Sequence, residues 1–127
     1  LAAASYSRAR DMAILTAHLF RVYPLFSQII SKKTENLYLS DGTFHHQMQN
    51  TNQLLGQGDI IGGKTGFTTD AQGCFVAIHG EPGNPSYGIS VILGSPDRFL
   101  EMQKLLHWVA SAEQSLPPNM NLIRIYQ

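Results

Sequence analysis

The chain has 127 residues, of which 43% are apolar and 14% charged, and its nine basic residues balance its nine acidic ones. That size supports one globular domain or a piece of one, and the composition excludes a disordered chain. Neutrality leaves no charge excess to draw the chain to nucleic acid or an anionic membrane, and no apolar run approaches the roughly 20 residues that span a bilayer.

Residues 7 to 23 read as an amphipathic helix, with Ser7 as N-cap, a stripe of Met12, Leu15, Leu19 and Val22, and Pro24 as its stop. A short apolar piece follows, carrying Leu25, Phe26, Ile29 and Ile30. The run "NLYLSDGTFHH" then predicts a hairpin turning at Ser40-Asp41-Gly42. From residue 59 the pattern becomes β: "DIIGGKTG", "CFVAIHG" and "YGISVILG" are three strand-like runs. Glu81-Pro82-Gly83-Asn84-Pro85 joins the last two, and so short a link favours an antiparallel hairpin over a parallel crossover. Ser95-Pro96-Asp97 starts a final helix, with Ser95 as N-cap, proline at the first position and an acid in the first turn; Phe99, Met102, Leu106 and Val109 form its stripe, widened by Leu105 and Trp108. The tail from residue 115 carries Pro117-Pro118 and "NLIRIYQ", a last strand or the start of a following region. The expected fold class is α+β, helix packed on an antiparallel sheet.

Gly58 to Thr65 spells G-x-x-x-x-G-K-T, the pattern of a phosphate-binding loop. Such a loop needs a helix to begin at the G-K-T, so that unpaired N–H groups and the helix dipole face the phosphates. Here Gly66-Phe67-Thr68-Thr69 follows, a poor helix start, and Ile60-Ile61 falls inside the supposed loop. The nucleotide reading is therefore the weaker one. In the other reading the segment is an edge strand presenting the Lys64 ammonium, the Thr65 hydroxyl and a bare backbone at Gly66 to a substrate lying alongside. Gly62, Gly63 and Gly66 suit close approach by another backbone or a ligand. In this reading Lys64 would attract a carboxylate directly or through Thr65, and the Phe67 peptide N–H would supply one of two oxyanion-hole donors for acyl transfer. Composition alone favours the alternative, a glycine-rich edge strand with a solvated lysine and nothing bound. Thr68 comes next, and its hydroxyl either touches substrate or caps the turn, with the turn slightly favoured. Asp70 is read as a turn residue.

The succession "NTNQLL…DIIGGKTGFTTDAQGCFVAIHG" resembles the third-motif region of the D-alanyl-D-alanine carboxypeptidases, low-molecular-weight penicillin-binding proteins of the serine peptidase type. Upstream, "YSRARDMAILTAHLFRVYP" is similar to the helix after that family's middle motif. Downstream, "YGISVILGSPDRFLEMQKLLHWV" resembles its last core strand and C-terminal helix. The resemblance implies a partial β-lactamase/penicillin-binding-protein-like fold: the sheet, its C-terminal helix and part of a helical subdomain. Residues 1–127 would be the C-terminal portion of one transpeptidase-like catalytic domain. It further implies Lys64, Thr65, Gly66 and Thr68 as substrate-binding residues, with the Phe67 N–H as the catalytic contribution. The implied substrate is a peptidoglycan stem peptide ending in D-Ala-D-Ala, or a β-lactam mimicking it, in the bacterial periplasm or cell envelope.

The family's mechanism needs a Ser-x-x-Lys and a Ser-x-Asn. No serine here has lysine three residues later or asparagine two later, and no tyrosine heads a Tyr-x-Asn. Both motifs precede residue 1 in the family's order, and the chain opens at Leu1 without a methionine. The expectation is a segment inactive by itself, partnered by the rest of its catalytic domain and prone to self-association through exposed apolar surface. A non-catalytic relative that kept the scaffold is the alternative. No Glu-x-x-Leu-Asn setting surrounds any glutamate, which disfavours a class A β-lactamase.

No cofactor and no metal are expected. His45 and His46 are adjacent, and neighbouring strand residues point to opposite faces. Cys74 is the only cysteine, which excludes an internal disulfide, and it reads as a small buried hydrophobe. Trp108 reads as packing on the sheet.

Overall fold

The computed structural model describes residues 5–115, so the expected tail or strand after residue 115 lies outside the described residues. Helix α1 (Ala9–Val22) is followed at once by α2 (Pro24–Ile30). Pro24 does two jobs. Lacking an N–H, it cannot continue α1, yet its fixed φ suits the first turn of α2, and the two axes meet at 110°. Among the described residues, no single helix is long and apolar enough to cross a membrane.

Two details of α1 depart from expectation. Arg8 occupies the N-cap position without a side-chain cap bond, in place of Ser7. Half of the expected stripe also turns outward: Leu15 and Val22 are exposed, while Met12 and Leu19 are half-buried together with Ala13, Ala17 and Phe20, around a buried Thr16. Alanine and threonine let the helix axis lie close to the sheet, which larger side chains would hold off.

Strands β1 (Thr34–Tyr38) and β2 (Phe44–Gln49) form the expected hairpin as a separate two-stranded sheet. At its turn Gly42 takes a φ of 84°, a left-handed conformation that glycine adopts without a Cβ penalty. Asp41 Oδ1 accepts the Thr43 N–H at 2.8 Å. The pairing slips between Leu37 and Tyr38, whose partners are His46 and Phe44, so His45 is an extra residue in the ladder. This bulge brings the two imidazoles together, with ring centroids 4.6 Å apart. The expectation of opposite faces holds for a regular strand and fails here.

The main sheet has the order β3-β4-β5, all antiparallel, with β3 Ile60–Thr68, β4 Gln72–Gly80 and β5 Tyr87–Ser95. Residues opposite each other across an antiparallel pair share a face. Phe75 therefore lies beside Thr65 and Ile92, and Val76 beside Lys64 and Val91. Helix α3 (Arg98–Gln114) covers the first face, bringing Met102 into the core with Leu54, Ile60, Phe75 and Ala77. The Phe75 and Phe99 rings meet edge to face at 5.6 Å. Phe75, Ile78 and Met102 are fully buried, each worth about 1.5–3 kcal/mol relative to exposure. Helices α1 and α2 cover the other face, where Phe20 packs on Tyr87 and Ile30 lies over Gly62.

The predicted α3 stripe is otherwise as expected, although Trp108 keeps 47% of its surface exposed. Asp97, not Ser95, caps α3, its Oδ1 accepting the Leu100 N–H at 3.1 Å. Ser95 serves one step earlier, accepting the Asp97 N–H. Cys74 is only partly buried.

Candidate functional site

β3 pairs with β4 on one side and with no strand on the other among the described residues. It runs without interruption through Lys64, Thr65 and Gly66, and no helix begins there. The geometry that a phosphate loop requires is absent, and the nucleotide reading falls with it.

Along this strand the five expected site residues occupy different environments. Lys64 is exposed and lies on the α1–α2 face, beyond the point where α2 meets Gly62. Its ammonium folds back to donate to the Thr65 carbonyl oxygen. Thr65 faces the other way and is only 7% exposed. Gly66 is exposed, and a Cβ built on it would meet nothing nearer than the Cys74 Cβ at 3.9 Å. Phe67 is 63% exposed, a large apolar ring left against solvent. The Thr68 hydroxyl accepts the Ala71 N–H at 3.0 Å, and so holds the turn into β4.

The glycines before the lysine have a different cause from the one after it. A Cβ on Gly63 would lie 2.4 Å from the Val76 carbonyl oxygen and 3.1 Å from the Phe75 ring. One on Gly62 would press on Ile30 at 3.2 Å. Their bareness lets the protein's own elements close on the strand. Only Gly66 borders open space, and there a ligand could approach the backbone.

One set of residues entered the sequence reading only through the resemblance, with no role assigned, and packs beside the strand: the loop Asn50-Thr51-Asn52. Asn50 Nδ2 donates to the Lys32 carbonyl at 2.9 Å, and its Oδ1 accepts the Asn52 N–H at 2.9 Å. Asn52, 4% exposed, accepts the Leu54 N–H at 3.0 Å. Between these two fixed amides, Thr51 places its hydroxyl 2.6 Å from that of Thr65. The N-x-N spacing was the available signal, since alternate asparagines supply alternate backbone caps.

The arrangement offers an ammonium, a fixed hydroxyl, a strand backbone with one unpaired edge and a glycine where that edge is open. These are donors suited to an extended, anion-bearing peptide. Among the described residues no group of three or more His, Cys, Asp or Glu side chains converges as a metal site would require.

The profile of the D-alanyl-D-alanine carboxypeptidase family matches residues 1–97. The chain is 38% identical over 109 residues to the D-alanyl-D-alanine carboxypeptidase DacA of Haemophilus influenzae, a match over 81% of this chain and 26% of that protein. The crystal structure of penicillin-binding protein D2 from Listeria monocytogenes, in a cefotaxime-bound form, superposes with a TM-score of 0.65 at 28% identity, over 80% of this chain and 40% of that one. A mutant DD-transpeptidase from Streptomyces has a TM-score of 0.73 over 84% of this chain and 44% of its own, at 23% identity, and supports the fold alone. The chain thus spans about a quarter of the curated relative and less than half of these solved structures.

Proposed function

Because the chain belongs to the D-alanyl-D-alanine carboxypeptidase family, we propose that it is the substrate-anchoring part of a serine-type carboxypeptidase that acts on D-Ala-D-Ala-ended peptidoglycan stem peptides in the bacterial envelope. Lys64 and Thr65 hold the terminal carboxylate of the peptide, or that of a β-lactam. Gly66 lets the substrate lie against the strand. The Phe67 N–H donates to the oxyanion formed when a serine supplied by another part of the parent protein attacks the carbonyl.

The observation that carries this reading is an exposed Lys64 whose ammonium bends round to the Thr65 carbonyl, next in sequence to a buried, hydrogen-bonded threonine hydroxyl, on a strand with one unpaired edge. Backbone groups two residues apart on a strand face the same side. The Phe67 N–H is accordingly aligned with the Thr65 carbonyl that the Lys64 ammonium reaches. One oxyanion donor of this kind is worth about 3 kcal/mol in the transition state. Thr68 acts one step removed, by fixing the turn that ends the strand.

With no Ser-x-x-Lys among its 127 residues, the segment alone has no nucleophile for the reaction. A fluorescent penicillin should therefore label the full-length protein covalently and leave the isolated segment unlabelled. Lys64→Ala in the full-length protein should abolish most of that labelling. Full labelling of the Lys64→Ala protein would remove Lys64 from the mechanism. No labelling of a folded full-length protein would favour a scaffold that has left catalysis behind.

A further inference from the structure

The contact between Thr51 and Thr65 decides where one proton points. A hydroxyl has a single proton and two lone pairs, so whichever threonine donates across the 2.6 Å contact has no proton left for a third group. Were Thr65 the donor, an arriving carboxylate would meet only lone pairs on its oxygen. With Thr51 as donor, the Thr65 proton remains available to an anion, and its oxygen is polarised by the bond it accepts.

We propose that Thr51 is a positioning residue for anion recognition: it donates to Thr65 Oγ1 and so reserves the Thr65 proton for the substrate's carboxylate. This rests on the reading of Lys64 and Thr65 as the carboxylate anchor. Three features equip Thr51 for the role. Its neighbours Asn50 and Asn52 are both pinned by hydrogen bonds, so the loop holds the hydroxyl in place without help from substrate. Leu54, two residues beyond Asn52, is part of the core, which anchors the loop to the α3 face of the sheet. Thr51 itself is exposed, so its own lone pairs are served by solvent and it has no competing need to accept from Thr65.

The test uses the full-length protein and two probes, a penicillin and its methyl ester, which lacks the anion. Thr51→Val keeps the shape and removes the donor. With its partner gone, the Thr65 hydroxyl keeps its proton but loses the bond that orients and polarises it, so acylation by the penicillin should slow severalfold, the scale of one neutral hydrogen bond, while the already slow ester reaction stays essentially unchanged. Thr51→Ser restores the hydroxyl and should recover the penicillin rate. A general loosening of the site would slow both probes alike, so equal loss overturns the inference, as does no loss with either probe or a Thr51→Ser protein that behaves like Thr51→Val. Should the valine variant fold poorly, Thr51→Ala carries the same comparison. Lys64→Ala run alongside separates the two levels. Discrimination against the ester that is lost with Lys64→Ala and kept with Thr51→Val sinks only the role of Thr51. Discrimination untouched by Lys64→Ala sinks the anchor reading, and this inference with it.

Discussion

Gly63 shows how a single missing side chain sets the position of the candidate site. The Val76 carbonyl oxygen sits 2.4 Å from where its Cβ would be, closer than any carbon can approach an oxygen without bonding. The contact is with backbone, which cannot swing aside as the tip of a side chain can. Gly63→Ala should therefore destabilise the fold by about 1–3 kcal/mol, the range for overpacking, in a denaturant titration. It should also displace Lys64, the next residue along, because β3 has to move off β4 to admit the methyl. An alanine variant as stable as the parent would mean that the two strands are less tightly apposed than the structure has them. Thr65 belongs to the same scale: its burial and its bond to Thr51 fix a hydroxyl that, on a mobile surface residue, would have to be ordered anew at each binding event.

Among the elements, the β1–β2 hairpin stands apart, with every residue of both strands exposed. Its turn rests on local chemistry. The Thr43 backbone N–H bond holds the Asp41 carboxyl below its ordinary range, reinforced by the Thr43 side chain. A lowered carboxyl pKa in the folded state means that the bond's contribution is present above the unfolded carboxyl's pKa and is lost as pH falls through the lowered folded value. The Thr43 amide resonance should accordingly titrate in acid with the Asp41 carboxyl, and Asp41→Asn should remove that titration while leaving the hairpin shifts in place. A Thr43 amide indifferent to acid would show that the bond does not persist in solution. The helices differ in how far sequence period foretold them. The α3 stripe follows its apolar spacing because that one face packs on the sheet, with Met102 in the core and Phe99, Leu105 and Leu106 against it. In α1, Ile14, Leu15 and Val22 are exposed, whereas Met12, Leu19 and Phe20 turn partly inward beside the smaller Ala13, Thr16 and Ala17. Spacing identifies an amphipathic helix, but two stripes competed in α1, and the geometry of contact chose between them.

For the molecule as a whole, the apolar surface of α1 and α2 is the dominant feature. His18, Leu19, Tyr23, Leu25, Phe26 and Ile29 line an open hollow of about 420 Å³, and Leu25 and Ile29 are 67% and 60% exposed. Contiguous apolar surface of this kind drives association when nothing else covers it. The 127-residue chain should self-associate with rising concentration in sedimentation velocity, and Leu25→Glu combined with Ile29→Glu should shift it toward monomer. A parent chain that stays monomeric at high concentration would refute a sticky α1–α2 face.

Much of the fold was legible in the residues, because local chemistry dictates it. Pro24 ends one helix, Gly42 and Gly83 make turns, and alternating apolar runs bounded by glycine and proline make three adjacent antiparallel strands. The resemblance carried by "NTNQLL" and "GGKTGFTTDAQG" likewise pointed to the family that the comparisons identify. Long-range packing decided the rest. Which stripe of α1 faces inward, that a bulge turns His45 toward His46, that Gly62 and Gly63 yield to the protein's own atoms, and that Thr51 meets Thr65 all depend on surfaces brought together from distant parts of the chain. A pattern of residue types records what each position prefers, whereas a contact is a property of two positions at once, and only the folded chain specifies both.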